Sequence, residues 1–379
     1  MMTAVYAADF TGMMPAKASL PYWVFVAIRY VNILAFASAL YTSYWLLSEG
    51  EGPRLIRGLV LCGVVIAVFS LYIYLAHVFN WPEPPRTREG TSGLAQATVF
   101  SGESGFYHRA TGTFREPAHM AEWLILPFFL SFSMQGRERK IFVAVIGLAI
   151  VLTMSLTGIF SIVAGALMGL FLTRPFSKRT YKLLAGAVVL LGLAYLLFAK
   201  VSVGLGVQSS SLAEILARRI GATFTGGLGK SNRSYIYDFV RENPFPALGI
   251  GIGNGNLLAS SILGNPSVVA FLSLYIFTLY SAGYPGLLML IVFLLQPIAK
   301  FMFGFRKYLR TPPVVLMAYI AYMVAAGVGS EELTAWFGVA AGLLTFQAQH
   351  FYKAKRMEAG YEGGLLAAIV SPVTGLKPA

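Results

Sequence analysis

Apolar residues recur along the sequence in long runs that short polar connections separate. A helix needs about 20 apolar residues to cross roughly 30 Å of hydrocarbon. The pattern therefore predicts an all-α, polytopic membrane helix bundle, in which 1–379 forms a single integral membrane domain. We predict crossings near 22–47, 55–79, 118–134, 141–154, 158–173, 183–199, 284–303, 313–329 and 333–350.

The amino-acid composition points to the same class of protein. Hydrophobic residues make up 57% of the 379 residues and charged residues only 12%. A soluble globular protein carries roughly 25% charged residues, so this chain has too few to cover a water-facing surface. Cys62 is the single cysteine and lies in an apolar run, which excludes a disulfide framework and a thiolate metal site.

Lysine and arginine cluster in several of the short connections, and such clusters face the cytoplasm in membrane proteins. They lie at 137–140, 174–182, 300–310 and 353–356. This orientation places the N-terminus and two longer segments, 80–117 and 200–265, on the outer side. We expect short amphipathic helices in the second outer loop and a loosely held cytoplasmic tail over 357–379.

The segment 266–282 is apolar enough to cross the membrane, but a crossing there would move the basic cluster at 300–310 to the outer side. We therefore predict a half-inserted or surface-lying helix, broken at 283–286 before the next crossing. Irregular backbone at membrane depth is tolerated where it lines a cavity. A tenth crossing is the alternative.

The first group of candidate residues surrounds a predicted helix start at Pro117, where the missing N–H of proline is not needed. Helix starts attract anions, and Arg109 and Arg115 stand just before this one. Arg115, His119 and Glu122 share one helix face if the first turn begins early enough. The alternative is an ordinary interfacial cap that contacts lipid headgroups.

The second group lies on a short helix that Pro244 is expected to end. Arg233, Tyr237 and Arg241 stack at intervals of four residues, and apolar side chains occupy the opposite arc. Guanidinium groups bind phosphate oxygens in a bidentate fork, so this face suits a phosphorylated ligand. A solvated charged face is the alternative.

Two further polar features fall at or inside predicted crossings. Arg29 lies about two turns inside the first one, where it is expected to snorkel or to pair within the bundle. Glu331 and Glu332 lie at the outer end between the last two crossings. They are candidates to hold an acceptor group or a proton, and a plain loop pair is equally compatible with the sequence.

The two groups, in this order, resemble the family of O-antigen ligases and oligosaccharide repeat-unit polymerases. The family has an Arg-x-x-Gly-x-Phe-x-Glu/Asn-Pro stretch before a crossing, and 109–117 is similar to it. The family then has a large outer loop with an arginine, an aromatic residue and a Pro-x-x-Gly-x-Gly ending, which Arg233, Tyr237 and 246–251 resemble. Ser155 to Gly158 departs from the family's Ser-Arg-Gly turn by lacking the arginine.

One departure favours the polymerase branch of this family. Ligases carry a His-Asn pair at a fixed distance before a glycine motif, and Leu272 and Ser273 occupy those positions here. The Glu-Pro form of the first motif also resembles exopolysaccharide and capsule polymerases.

The resemblance implies a glycosyltransferase of GT-C-like architecture in the inner (cytoplasmic) membrane, with its active site facing the periplasm or exterior. Its substrates would be polyprenyl-diphosphate-linked oligosaccharides, transferred with inversion and without nucleotide sugars. Expected partners are membrane lipid, a chain-length regulator and a flippase, with no nucleic acid.

The candidate residues suit this chemistry. Preorganised cations stabilise a diphosphate leaving group, and Arg109, Arg115, Arg233 and Arg241 provide them without a metal or other cofactor. Glu116 or His119 is the candidate base for the attacking hydroxyl. Tyr237, Glu122 and Glu331 are the candidate sugar contacts.

Other functions remain open from the sequence. An O-antigen ligase-type glycan transferase is the nearest alternative. A transporter or lipid flippase would use the intramembrane ionisable residues as a proton relay. A peptidoglycan-type glycosyltransferase would use a catalytic aspartate, and Asp238 is the outer-loop candidate.

Overall fold

The computed structural model describes residues 2–17, 20–79, 81–82, 109–114, 116–173, 234–244, 247–305 and 313–358. Within these ranges the chain is all-helical. The helices are α1 (Met2–Val5), α2 (Ala7–Thr11), α3 (Tyr22–Ser48), α4 (Gly52–Phe79), α5 (Pro117–Ser131), α6 (Gly136–Leu152), α7 (Leu156–Thr173), α8 (Ser234–Glu242), α9 (Asn254–Ile262), α10 (Leu274–Phe305), α11 (Val314–Val328) and α12 (Ala335–Glu358).

Three of the described helices are long and apolar enough to cross a membrane, over Tyr22–Ser48, Gly52–Ala76 and Leu274–Met302. Shorter apolar helices cover Leu156–Leu172 and Val314–Val328. These features indicate a multi-pass membrane protein. Each predicted crossing coincides with a described helix, except 183–199, which lies outside the described residues. Most of the two predicted outer loops and of the predicted tail also lies outside them.

The chain divides into two compact units, one formed by 1–56 and 235–379 and the other by 57–234. In the first unit α12 packs along α3 and α10. Gly338 and Gly342 of α12 permit the close approach to α3, because a Cβ on either glycine would lie 2.4 Å or less from a backbone or hydroxyl oxygen of α3. Small residues four apart are a common device for packing membrane helices.

The outer faces of α3 and α10 carry large exposed apolar side chains, as expected for helices surrounded by lipid. On α3 they include Trp23, Val31, Leu34, Tyr41 and Trp45, and on α10 they include Leu288, Met289 and Val292. The aromatic residues near both ends of α3 fit the interfacial belts of membrane proteins.

In the second unit α5 packs against α6 and α7. Gly158 of α7 lies so close to Ala121 of α5 that an added Cβ would sit 2.5 Å from the Ala121 Cβ. Met120 and Leu124 of α5 are fully buried in a cluster with Ile146 of α6. The first turns of α5 and α7 therefore lie side by side.

The predicted break at Gly283 is confirmed, since this residue interrupts α10 with φ 67° and ψ −163°. The helix predicted over 266–282 is wrong in its first half, because α10 begins only at Leu274. Before Leu274, backbone N–H groups bond to side chains instead of to helical carbonyl groups. The N–H of Val269 donates to Ser260 Oγ at 2.8 Å, and the N–H of Phe271 donates to Glu331 Oε2 at 2.6 Å.

Candidate functional site

Arg109 is buried where the segment 109–114 meets the end of α6. Its Nε donates to the carbonyl oxygen of Thr153 at 2.7 Å, and the N–H of Ala110 donates to that of Leu152 at 2.9 Å. A helix end leaves carbonyl groups unpaired and attracts cations. The turn that Arg109 contacts also contains Met154 in a left-handed conformation (φ 48°). Arg109 is thus a fixed cation at an irregular helix-to-helix turn.

The predicted start of α5 at Pro117 is confirmed. Glu116 is the residue before the helix, it is exposed, and its side chain does not cap the helix. His119 is also exposed, whereas Glu122 is half-buried. Arg115 lies outside the described residues, and because α5 begins after it, the shared helix face predicted for positions 115, 119 and 122 does not reach position 115.

The start of α7 is capped by Ser155, whose Oγ accepts the N–H of Gly158 at 3.2 Å. This start lies beside the first turns of α5, so the partial positive charges of two helix N-termini adjoin. The segment that carries Arg109 covers the same region: the Phe114 and Trp123 rings lie 6.0 Å apart. Within the second unit, the start of α7 and the segment 109–114 therefore both pack against the first half of α5.

Helix α8 confirms the predicted apolar arc of the second group. Ile236 and Phe239 are buried, and the Phe239 ring lies 5.6 Å from that of Tyr280. Arg241 is 75% exposed, with Nη2 3.6 Å from a Glu242 carboxylate oxygen. The helix ends at Glu242, ahead of Pro244, as predicted. Arg233 and the side chain of Tyr237 lie outside the described residues.

The glycine-rich segment that follows α8 crosses α10 at its break. The interruption frees backbone groups of α10, and three hydrogen bonds use them. They run from the N–H of Ile250 to Tyr280 O (2.8 Å), from Gly251 to Ser281 O (3.0 Å) and from Tyr284 to Ala247 O (3.0 Å). A Cβ on Gly249 would lie 2.5 Å from the Ala282 nitrogen, so only glycine permits this approach. The glycine motif is part of the predicted second group, whereas its contact with α10 was not predicted.

The expectation that Arg29 pairs within the bundle is confirmed. Its Nη1 lies 2.7 Å from a Glu331 carboxylate oxygen and also contacts Glu332. The side-chain amide of Asn32, one turn further along α3, donates to Glu332 as well. The intramembrane cation and the paired glutamates are therefore one electrostatic group.

Glu331 is buried and is held by one ion pair and two hydrogen bonds. Besides Arg29 and the N–H of Phe271, the amide of Asn256 donates to it at 2.9 Å. The same amide donates to the carbonyl oxygen of Val269 at 2.9 Å. Asn256 was not among the predicted site residues. Its position just after the glycine motif was the available signal.

The described candidates divide between the units: Arg109, Glu116, His119 and Glu122 belong to the second, and Arg241 and Glu331 to the first. Among the described residues, no group of three or more His, Cys, Asp or Glu is placed to hold a metal ion. No protein-family model matches the chain, and no curated protein matches it at a significant level.

Proposed function

We propose that this protein is a polysaccharide polymerase that transfers a polyprenyl-diphosphate-linked glycan to a lipid-linked repeat-unit acceptor at the outer face of the cytoplasmic membrane. The observation that carries the proposal is the segment 109–114 of a multi-pass helical protein, in which Arg109 is fixed at the end of α6 and Phe114 packs against Trp123 of α5. A bundle of nine to ten crossings with GT-C-like architecture is part of this proposal.

The donor sugar is already activated by its diphosphate group. The protein therefore mainly has to stabilise the negative charge that develops on the departing diphosphate. The acceptor hydroxyl forms a bond to the anomeric carbon with inversion, while the bond to the diphosphate oxygen breaks and the polyprenyl diphosphate departs with both electrons. Fixed cations lower the energy of that developing charge. Arg109, Arg115, Arg233 and Arg241 are the residues proposed to supply them.

The hydroxyl proton passes to a base in the same step. Glu116 and His119 are both exposed at the start of α5, and Glu116 makes no side-chain cap hydrogen bond, so its carboxylate is available to a substrate. A base must lie within hydrogen-bond reach of the proton that it removes. The first turn of α5 is therefore the proposed point of acceptor activation.

The proposed sugar contacts differ in availability. Glu122 is half-buried within α5, whereas both oxygens of Glu331 are engaged by Arg29, Asn256 and Phe271. This engagement supports a structural role for Glu331 over contact with an acceptor. Glu122, together with Tyr237, remains in the proposal.

The proposal is tested by incubating the purified protein with a lipid-linked oligosaccharide and resolving the products by size. A ladder of lengthened lipid-linked glycans is expected. Transfer onto a lipid A core acceptor without a ladder would support the ligase alternative. Movement of the substrate across a vesicle membrane without bond formation would replace the proposal by a transporter.

Substitution Arg241→Ala is expected to lower the polymerisation rate by about 10- to 150-fold, the equivalent of one charge-assisted hydrogen bond of roughly 1.5–3 kcal/mol. Arg241 is exposed, so the fold should persist. Rates are measured from ladder formation under single-turnover conditions. Glu242→Ala, a neighbouring exposed change, is the matched control. Equal rates for both variants would exclude Arg241 from the diphosphate site.

Polymerisation is expected to continue in EDTA at an unchanged rate. Asp9 and Asp238 are the two aspartates of the sequence, and the proposed charge stabilisation is assigned to arginines. The rate is measured before and after chelation and again after magnesium or manganese is added back. Loss of activity in EDTA with recovery on adding either ion would contradict the metal-independent mechanism.

A further inference from the structure

A cavity of about 260 Å³ lies in the first unit beside the start of α3. Its apolar lining is formed by Met14, Leu20, Phe25, Val268 and Ala270, and its charged lining by Lys17 and Arg29. Sites for drug-sized ligands occupy about 300–1,000 Å³. The cavity is therefore suited to one small headgroup with the beginning of an apolar chain.

Arg29 keeps part of its donor capacity for this cavity. Both carboxylate contacts are made by Nη1, and Nε and Nη2 make no hydrogen bond with any described residue. The guanidinium is held in place by aromatic rings, 5.1 Å from the centroid of Phe25 and 5.6 Å from that of Phe277. Its orientation is thus fixed before any ligand arrives, which reduces the entropy lost on binding.

Lys17 is the second cation, and it is exposed. Its backbone N–H donates to the carbonyl oxygen of Pro266 at 2.9 Å, which anchors the segment to the opposite wall of the cavity. Within the described part of the chain, its ammonium group has no carboxylate partner. Arg29 is shared between two carboxylates, Glu331 and Glu332, so Lys17 is the cation of this lining that no described carboxylate contacts.

We propose that this cavity binds the phosphate group of a membrane lipid. Lysine and arginine side chains only donate hydrogen bonds, so the charged lining calls for a group composed of acceptors. The apolar lining calls for a hydrocarbon chain on the same molecule. The position beside the start of a candidate membrane-spanning helix supplies such molecules at high local concentration.

The site is independent of the proposed glycosyl transfer. None of the seven lining residues is among those assigned to the diphosphate, the base or the sugar. Lipid binding can therefore fail while polymerisation persists, and the reverse also holds.

The test uses the purified full-length chain in detergent, titrated with dioleoyl phosphatidic acid and followed by native mass spectrometry. Lys17→Glu is expected to weaken binding by about tenfold or more, since reversal of a cation repels a phosphate. Lys140→Glu makes the same charge change at an exposed lysine of the second unit and is expected to leave binding unchanged. Dioleoylglycerol, which has no phosphate, is expected not to bind.

Three results would overturn the proposal. The first is that Lys17→Glu binds dioleoyl phosphatidic acid as tightly as the unsubstituted protein, and the second is that Lys140→Glu loses as much affinity as Lys17→Glu. The third is complete displacement of the lipid by inorganic phosphate, which would indicate a site for a free anion. If Lys17→Glu does not purify as a single folded species, lipid binding is measured on the Ala270→Phe variant instead. Filling the cavity should abolish lipid binding in a folded protein, and retained binding would place the lipid elsewhere.

Discussion

Replacement of Arg29 by methionine is expected to lower the free energy of unfolding by about 3–5 kcal/mol, the usual cost of removing one partner from a buried ion pair. The Arg29 side chain is 11% exposed and that of Glu331 is 9% exposed. Without the guanidinium, the buried carboxyl group of Glu331 would be left with only neutral hydrogen-bond donors. Glu332 would lose its cation as well.

Thermal unfolding of the purified protein in detergent measures this effect. Arg54→Met is the matched control, because Arg54 is 84% exposed and its pair with Glu51 should be worth about 0.5 kcal/mol or less. The triple variant Arg29→Met, Glu331→Gln, Glu332→Gln should recover most of the loss, since a glutamine oxygen can still accept from Asn256 and Phe271. A single Arg29→Met variant as stable as the Arg54→Met control would show that the group does not stabilise the fold.

The elements of this fold that could be predicted are those that depend on neighbouring residues. Apolar runs gave the helices, Pro117 gave the start of α5, and Gly283 gave the interruption of α10. The buried arc of α8 followed from helical spacing. In each case the responsible residues lie within a few turns of the feature that they produce.

Features that depend on distant residues were not predictable in the same way. That Arg29 would pair was expected from the cost of an isolated charge in the bilayer, but its partners lie about 300 positions away in the sequence. The prediction that a helix begins at Pro266 was wrong, because the side chains of Ser260 and Glu331 accept hydrogen bonds from backbone N–H groups of this segment. Local hydrophobicity contains no information about such competing acceptors.

The candidate site was predictable to a similar extent. The apolar half of α8 and the helix start beside Glu116 followed from sequence pattern. The attachment of Arg109 to the end of α6 and the role of Asn256 required the fold. The glycine motif shows the same limit: its φ preferences are local, but the reason for them is the close passage of α10.

Substitution Gly283→Ala is expected to destabilise the protein by about 4 kcal/mol. Its φ of 67° and ψ of −163° belong to a region that essentially only glycine adopts, where another residue costs about 1–3 kcal/mol. In addition, the new Cβ would lie 2.1 Å from the Ala247 carbonyl oxygen. The glycine-rich segment would have to move, and its three backbone hydrogen bonds, worth about 1 kcal/mol each, would weaken.

Gly264→Ala separates the two contributions, because Gly264 also has a positive φ (59°) but nothing lies within 4 Å of its added Cβ. That control should cost only about 1 kcal/mol, the conformational part alone. Thermal unfolding gives the difference between the variants, and limited proteolysis locates it. Release of the crossing should make the chain newly cleavable within 247–253 in Gly283→Ala and not in Gly264→Ala. Equal destabilisation of both variants, with no new cleavage, would mean that the close passage of the segment across the broken helix does not stabilise the fold.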